Sequence, residues 1–220
     1  MPFTIEQFLE VLAAYNRAVF PMQLILVSAA LVAIFLAVKT SKNSSRFVSA
    51  ILAFLWLWMG VAYHLLFFSR INPAAFSFGA FVIFQAVILF YAGVLKDELS
   101  FRFRFDTSGV IGVLLILYAL VVYPLLGFVF GHVYPQSPTF GLPCPTTIFT
   151  FGLLLWTDKK VSWYILPIPF LWSLIGVAAA LSLGIREDIA LPLAGTIGTA
   201  ILLWYKPRKI SNSVNDFKEC

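Results

Sequence analysis

Apolar runs long enough to cross a bilayer, separated by short polar connections, set the pattern of this chain. A helix crossing the hydrocarbon core takes about 20 mostly apolar residues. Stretches of that kind cover 21–38, 47–68, 74–95, 109–130, 163–183 and 189–205. A seventh, at about 138–156, opens on the irregular segment SPTFGLPCPTT before turning apolar. Pro143 and Pro145 cannot donate helical hydrogen bonds, so its first half is expected to be broken or unwound. Such backbone survives at membrane depth only inside protein or beside a water-filled cavity. Ahead of these runs, 4–16 (TIEQFLEVLAAYN) places Phe8, Leu9, Leu12 and Ala13 at helical spacing, with Thr4 and Gln7 as a capping box. It reads as an amphipathic helix on the outer face. The expected class is an all-α integral membrane protein with about seven transmembrane helices.

Composition supports lipid as the solvent. Of 220 residues, 61% are hydrophobic and 11% charged, against roughly a quarter charged in soluble domains. The net charge of +5 is spread in short clusters between apolar runs, a distribution that sets topology rather than builds a nucleic-acid face. If the seven runs alternate, one set of connections holds Lys39, Lys42, Arg46, Lys96, Arg102, Arg104, Lys159, Lys160, Lys206, Arg208, Lys209 and Lys218. The other set holds Arg17, Arg70 and Arg186. The richer set belongs in the cytoplasm, which puts the amino terminus outside and the carboxyl terminus inside. The expected location is the cell membrane. No cleavable signal peptide is read at the start, because Glu6 and Glu10 interrupt the apolar run. Cys144 and Cys220 fall on opposite sides, so they are not expected to pair.

The chain also matches itself. At an offset of 116 residues, Phe54-Leu55-Trp56 aligns with Phe170-Leu171-Trp172, and Gly60-Val61-Ala62 with Gly176-Val177-Ala178. Leu65, Arg70, Ala74 and Gly79 align with Leu181, Arg186, Ala190 and Gly195. At a nearby offset Val19-Phe20-Pro21 pairs with Val133-Tyr134-Pro135. A duplication divides the chain into an external helix (1–17), a three-helix repeat (18–95), a cytoplasmic loop and linker helix (96–131), a second three-helix repeat (132–205) and a polar cytoplasmic tail (206–220). An odd linker makes the repeats parallel, related by an axis along the membrane normal.

This 3+1+3 plan is similar in architecture to that of SWEET sugar transporters and PQ-loop proteins. It departs from them in having no proline within 47–68, and a Pro-Gln pair occurs only at Pro135-Gln136. The segments MPFTIEQFLEVLAAYNRAVFP, LWLWMGVAYHLLFFSRINPAAF and SPTFGLPCPTTIFTFGLLLW resemble a prokaryotic family of multi-pass membrane proteins of unknown function. That resemblance implies a membrane location and carries no activity.

The repeat singles out positions where the two units differ by a polar group. Tyr63 and His64 stand opposite Ala179 and Ala180, Gln85 opposite Ile201, and Ile71 and Asn72 opposite Glu187 and Asp188. An ionisable group inside a span, such as His64, is a functional candidate, whereas an amide such as Gln85 also serves as interhelical glue. His132, Tyr134 and Cys144 lie on the fourth external connection, with Thr146 and Thr147 behind it. Imidazole and thiolate are metal ligands, but the spacing matches no metal motif and no cofactor is assigned. No carboxylate occurs in 11–95 and the later spans have none in their interiors, which argues against proton coupling through a buried acid. Motifs of hydrolases, metalloproteases and phosphate-binding loops are missing, so an enzyme is not the first expectation.

The leading expectation is transport or binding of a small molecule or ion at an outward-facing polar site. Tyr63, His64, Asn72 and Gln85 would come from one unit, and His132, Tyr134, Cys144, Thr146 and Thr147 from the other. The alternatives are a membrane-embedded enzyme or metal/haem-binding protein using the external His and Cys residues, and a structural or sensory membrane subunit. The expected partners are the lipid bilayer and a small ligand, not nucleic acid, and the oligomeric state is left open.

Overall fold

The computed structural model describes residues 2–204, apart from the Ala179 side chain. The tail 206–220 with Cys220, and the last residue of the run 189–205, lie outside the described residues. Among those described, the molecule is helical throughout and has no strand beyond isolated bridges.

Helix α1 (Ile5–Val19) starts where the sequence places its cap. The Thr4 hydroxyl accepts from Gln7 N–H while the Gln7 side chain accepts from Thr4 N–H, a reciprocal capping box. Its apolar face, with Val11, Leu12 and Tyr15, is buried. The chain then turns by 81° into α2 (Met22–Val38). Neither helix alone has the length of a span, and the pair passes as one bent span.

Helix α3 (Ser44–Trp58) continues through a widened π-helical segment (Met59–Leu65) and a 3-10 turn (Phe68–Arg70). Helix α4 (Ala75–Phe90) packs along it and extends through Tyr91–Leu95. Helices α5 (Thr107–Leu117) and α6 (Tyr123–Val129) form one continuous rod through Tyr118–Val122. After the loop 130–142 come α7 (Pro143–Leu154), α8 (Pro167–Leu183), a 3-10 turn at Arg186–Ile189, and α9 (Ala190–Trp204).

Five helical segments are long and apolar enough to cross a membrane, six with the bent pair. Their outward faces carry large apolar side chains such as Phe35, Phe81 and Leu114, each about 60% exposed. Water would not tolerate a girdle of this extent on every long helix, and lipid does. This is a membrane protein.

Helix α7 differs from the rest. Its 12 residues span about 18 Å, well short of a hydrocarbon core of about 30 Å. All of them except Cys144 are buried, because α5, α8 and α9 pack around it. Protein, not lipid, encloses it, which permits a short helix and buried threonines. The prolines do not break it as the sequence leads one to expect. Pro143 starts the helix and Pro145 lies in its first turn, where N–H groups have no intrahelical acceptor to lose. Irregular backbone is confined to the loop before it.

The connections gather in two groups. Those at 39–46, 96–106 and 155–160 are hydrogen-bonded to one another: Phe101 N–H donates to the Ser45 hydroxyl, Arg102 N–H to Trp156 C=O, Phe103 N–H to Ala37 C=O and Asp158 N–H to Ser100 C=O. Arg46 and Asp97 add an ion pair at 3.6 Å. At the other group, Asn16 donates to the carbonyls of Pro135 and Ser137 at 2.7 and 2.8 Å and accepts from the Thr139 hydroxyl at 2.8 Å. These bonds fasten α1 to the loop 130–142.

Candidate functional site

A cavity of about 380 Å³ opens between α1, the π-helical segment of α3, the start of α7, and α8. Its position follows from local geometry. Gly60 lets α3 approach α4 closely, since a Cβ there would come within 2.7 Å of Ile83 and 3.3 Å of the Gly79 carbonyl. The π-helical turns that follow widen the helix, and they carry Tyr63 and His64. From the other side Gly176 keeps α8 tight on α9, where a Cβ would come within 2.5 Å of Leu191.

Eight aromatic rings, His64 included, line the chamber. Tyr63 and Phe68 are stacked at 5.5 Å, and Phe78 meets Trp172 edge-on at 5.6 Å. The His64 ring sits edge-on to Trp172 at 5.0 Å. His64 is wholly buried, and neither its Nδ1 nor its Nε2 has a hydrogen-bond partner; Trp172 Nε1 has none either. Three ring nitrogens thus lie unpartnered on two touching side chains of the chamber lining. An unsatisfied buried polar group costs about 1–3 kcal/mol.

One acid, Asp188, also lines the chamber. Asp188, 6% exposed, accepts from the Tyr123 hydroxyl at 2.5 Å, and the Cys144 thiol lies beside the same carboxyl. Its neighbour Glu187 is wholly buried, 2.8 Å from His132 Nδ1, with its second oxygen unpartnered. Tyr118 donates to the Glu187 carbonyl at 2.7 Å. The later runs carry no acid in their interiors, as read, but the connection between the last two buries Glu187 and Asp188. Glu187 and Asp188 follow the αL turn at Gly184, which folds them back beneath α6 instead of leaving them in solvent.

Of the residues singled out from sequence, Tyr63, His64, Asn72 and Cys144 line this cavity together. Asn72 also accepts from Ala74 N–H in the turn ahead of α4. His132 and Tyr134 line a second cavity of about 330 Å³ beside α2, α5 and α6. Tyr123 and Pro138 border both cavities and form part of the partition between them. Gln85 lines neither. It donates to the Ile165 carbonyl at 3.0 Å and ties α4 to the turn before α8. Thr146 and Thr147 are buried within α7, away from both chambers.

Sequence reasoning missed Tyr123, Trp172 and Asp188. Tyr123 lies on the linker helix, which has no counterpart to contrast it with, and Trp172 is matched by Trp56. Asp188 stands opposite Asn72, so both units are polar there and the difference between them is the charge of Asp188. Among the described residues no group of three or more His, Cys, Asp or Glu side chains is placed to hold a metal ion.

The fold and the chamber define an all-helical membrane protein with an internal, aromatic-walled cavity. The chain belongs to a family of unknown function (DUF6064), whose model matches residues 5–213. No curated protein and no solved structure matches it, SWEET and PQ-loop proteins included.

Proposed function

We propose that this protein binds a small, largely apolar molecule carrying a hydrogen-bonding group, and carries it from the outer side of the cell membrane. The observation behind this reading is His64. An imidazole buried in a ring of aromatic side chains, with both nitrogens unpartnered by protein, faces a cavity whose volume lies in the range of small-molecule sites. Inert packing at that position is better served by phenylalanine. The retained imidazole makes sense if its nitrogens, with Trp172 Nε1, meet a ligand.

The proposed topology has seven passes, with α7 as a short pass enclosed by protein. The positive-inside rule places the connections at 39–46, 96–106 and 155–160 in the cytoplasm, and α1 and the cavity mouth outside. A parallel repeat is supported by the matched glycines: Gly60 and Gly79 set the contact of α3 with α4, as Gly176 and Gly195 set that of α8 with α9. The first helices of the units differ, since α2 packs on α3 but α7 mainly on α5 and α9. The chamber would then lie between the units, with α1 across its mouth.

The test is native mass spectrometry of protein released from membranes in lipid nanodiscs, comparing wild type with His64→Phe. Wild type is expected to carry a bound small molecule that the variant loses. The variant should unfold no earlier than wild type, because two unsatisfied nitrogens are removed. Equal ligand occupancy in both would remove His64 from the site.

A further inference from the structure

We infer that the ligand of the aromatic chamber is an organic cation, with Asp188 as its counter-charge. This rests on the small-molecule reading above and specifies its chemical class.

The inference starts from a charge imbalance. Two adjacent carboxyls, Glu187 and Asp188, are buried, and Asp188 lines the chamber. Among the described residues one group able to carry positive charge reaches them, His132, and it lies 2.8 Å from Glu187. The neighbouring Arg186 is directed elsewhere, with its guanidinium over the Phe130 ring at 5.6 Å. No described salt bridge includes Asp188. Its partners, the Tyr123 hydroxyl and the Cys144 thiol, are neutral donors. Buried charges are paired or neutralised, and Asp188 borders the cavity where a charged ligand would complete the pairing.

The rest of the wall selects the same sign. Among the described residues no lysine or arginine lines the chamber. Tyr63, Phe68, Phe78 and Trp172 line it, and aromatic ring faces carry the negative part of the quadrupole. They attract ammonium groups, most strongly where water is excluded. The buried His64 nitrogens have no protein partner. Apolar walls, one acid and an aromatic enclosure together describe a site for a hydrophobic amine or quaternary ammonium.

The experiment compares benzyltrimethylammonium with neopentylbenzene, its uncharged carbon isostere, by equilibrium binding to the full chain in zwitterionic nanodiscs, with empty discs subtracted. The cation is expected to bind about tenfold tighter than the isostere. Asp188→Asn is expected to abolish most of that preference while leaving binding of the isostere in place. If wild type prefers the isostere or does not discriminate, while His64→Phe still abolishes binding, the cation inference fails and the small-molecule reading survives. If neither probe binds saturably, both fail. Should Asp188→Asn not fold, the wild-type comparison decides alone.

Discussion

Two tryptophans at matched positions of the repeat show how much a single side chain's surroundings decide. Trp56 is wholly buried and donates to the Thr150 hydroxyl at 3.0 Å, pinning α3 to α7. Trp172 lines the chamber with its Nε1 unpartnered. Trp56→Phe should therefore destabilise the protein by about 1–3 kcal/mol through the lost hydrogen bond and volume. Trp172→Phe should change stability little and weaken ligand binding. Thermal unfolding of both variants in the same detergent checks the contrast, and a larger loss at Trp172 would contradict it. From sequence the two residues are indistinguishable. His64 and Tyr63 were legible because the other unit has alanines there. Gln85 showed the same polarity, yet it serves packing, since a one-sided amide does not reveal whether its partner is a carbonyl or a ligand.

At the scale of elements, close helix contacts and loop bonds hold the chamber in shape. Gly112 of α5 faces Gly152 of α7, and a Cβ at Gly112 would lie 2.6 Å from Trp156 Nε1 and 2.7 Å from the Gly152 carbonyl. Backbone cannot yield as a side chain does, so Gly112→Ala should cost about 1–3 kcal/mol. Unfolding temperature reports the effect, and an unchanged value would show that α5 is free to shift. On the loops, Glu98 accepts from the hydroxyls of Tyr164 and Ser162 at 2.5 and 2.7 Å. These bonds, Tyr164 first, hold its carboxyl below the usual range. A lowered value in the folded state means stability that is present above the ordinary carboxylate range and lost as pH falls through the lowered value. Unfolding temperature measured from roughly pH 6 to 3 should fall less for Glu98→Gln than for wild type, by a modest amount because the loop is solvated. Identical slopes would remove Glu98 from the acid response. Most elements were legible from hydropathy and the Thr4–Gln7 cap. The geometry of α7 was not, because proline signals interruption in a helix interior and initiation in a first turn, and only the true start distinguishes them.

For the whole molecule, apolar faces turned outward on every long helix establish the membrane setting, and that much was plain in the composition. The burial of Glu187 and Asp188 was not, because it depends on a left-handed turn at Gly184 and on α6 covering them, contacts made by residues distant in sequence. The central claim is a chamber between helices that opens to the outside and presents His64, Cys144 and Asp188 to a ligand. Cys220→Ser leaves Cys144 as the sole thiol of the chain, and its modification by a small, membrane-impermeant methanethiosulfonate tests that claim directly. Reaction in intact cells, with no reaction in inside-out vesicles, is the predicted result. Reaction confined to inside-out vesicles would contradict it.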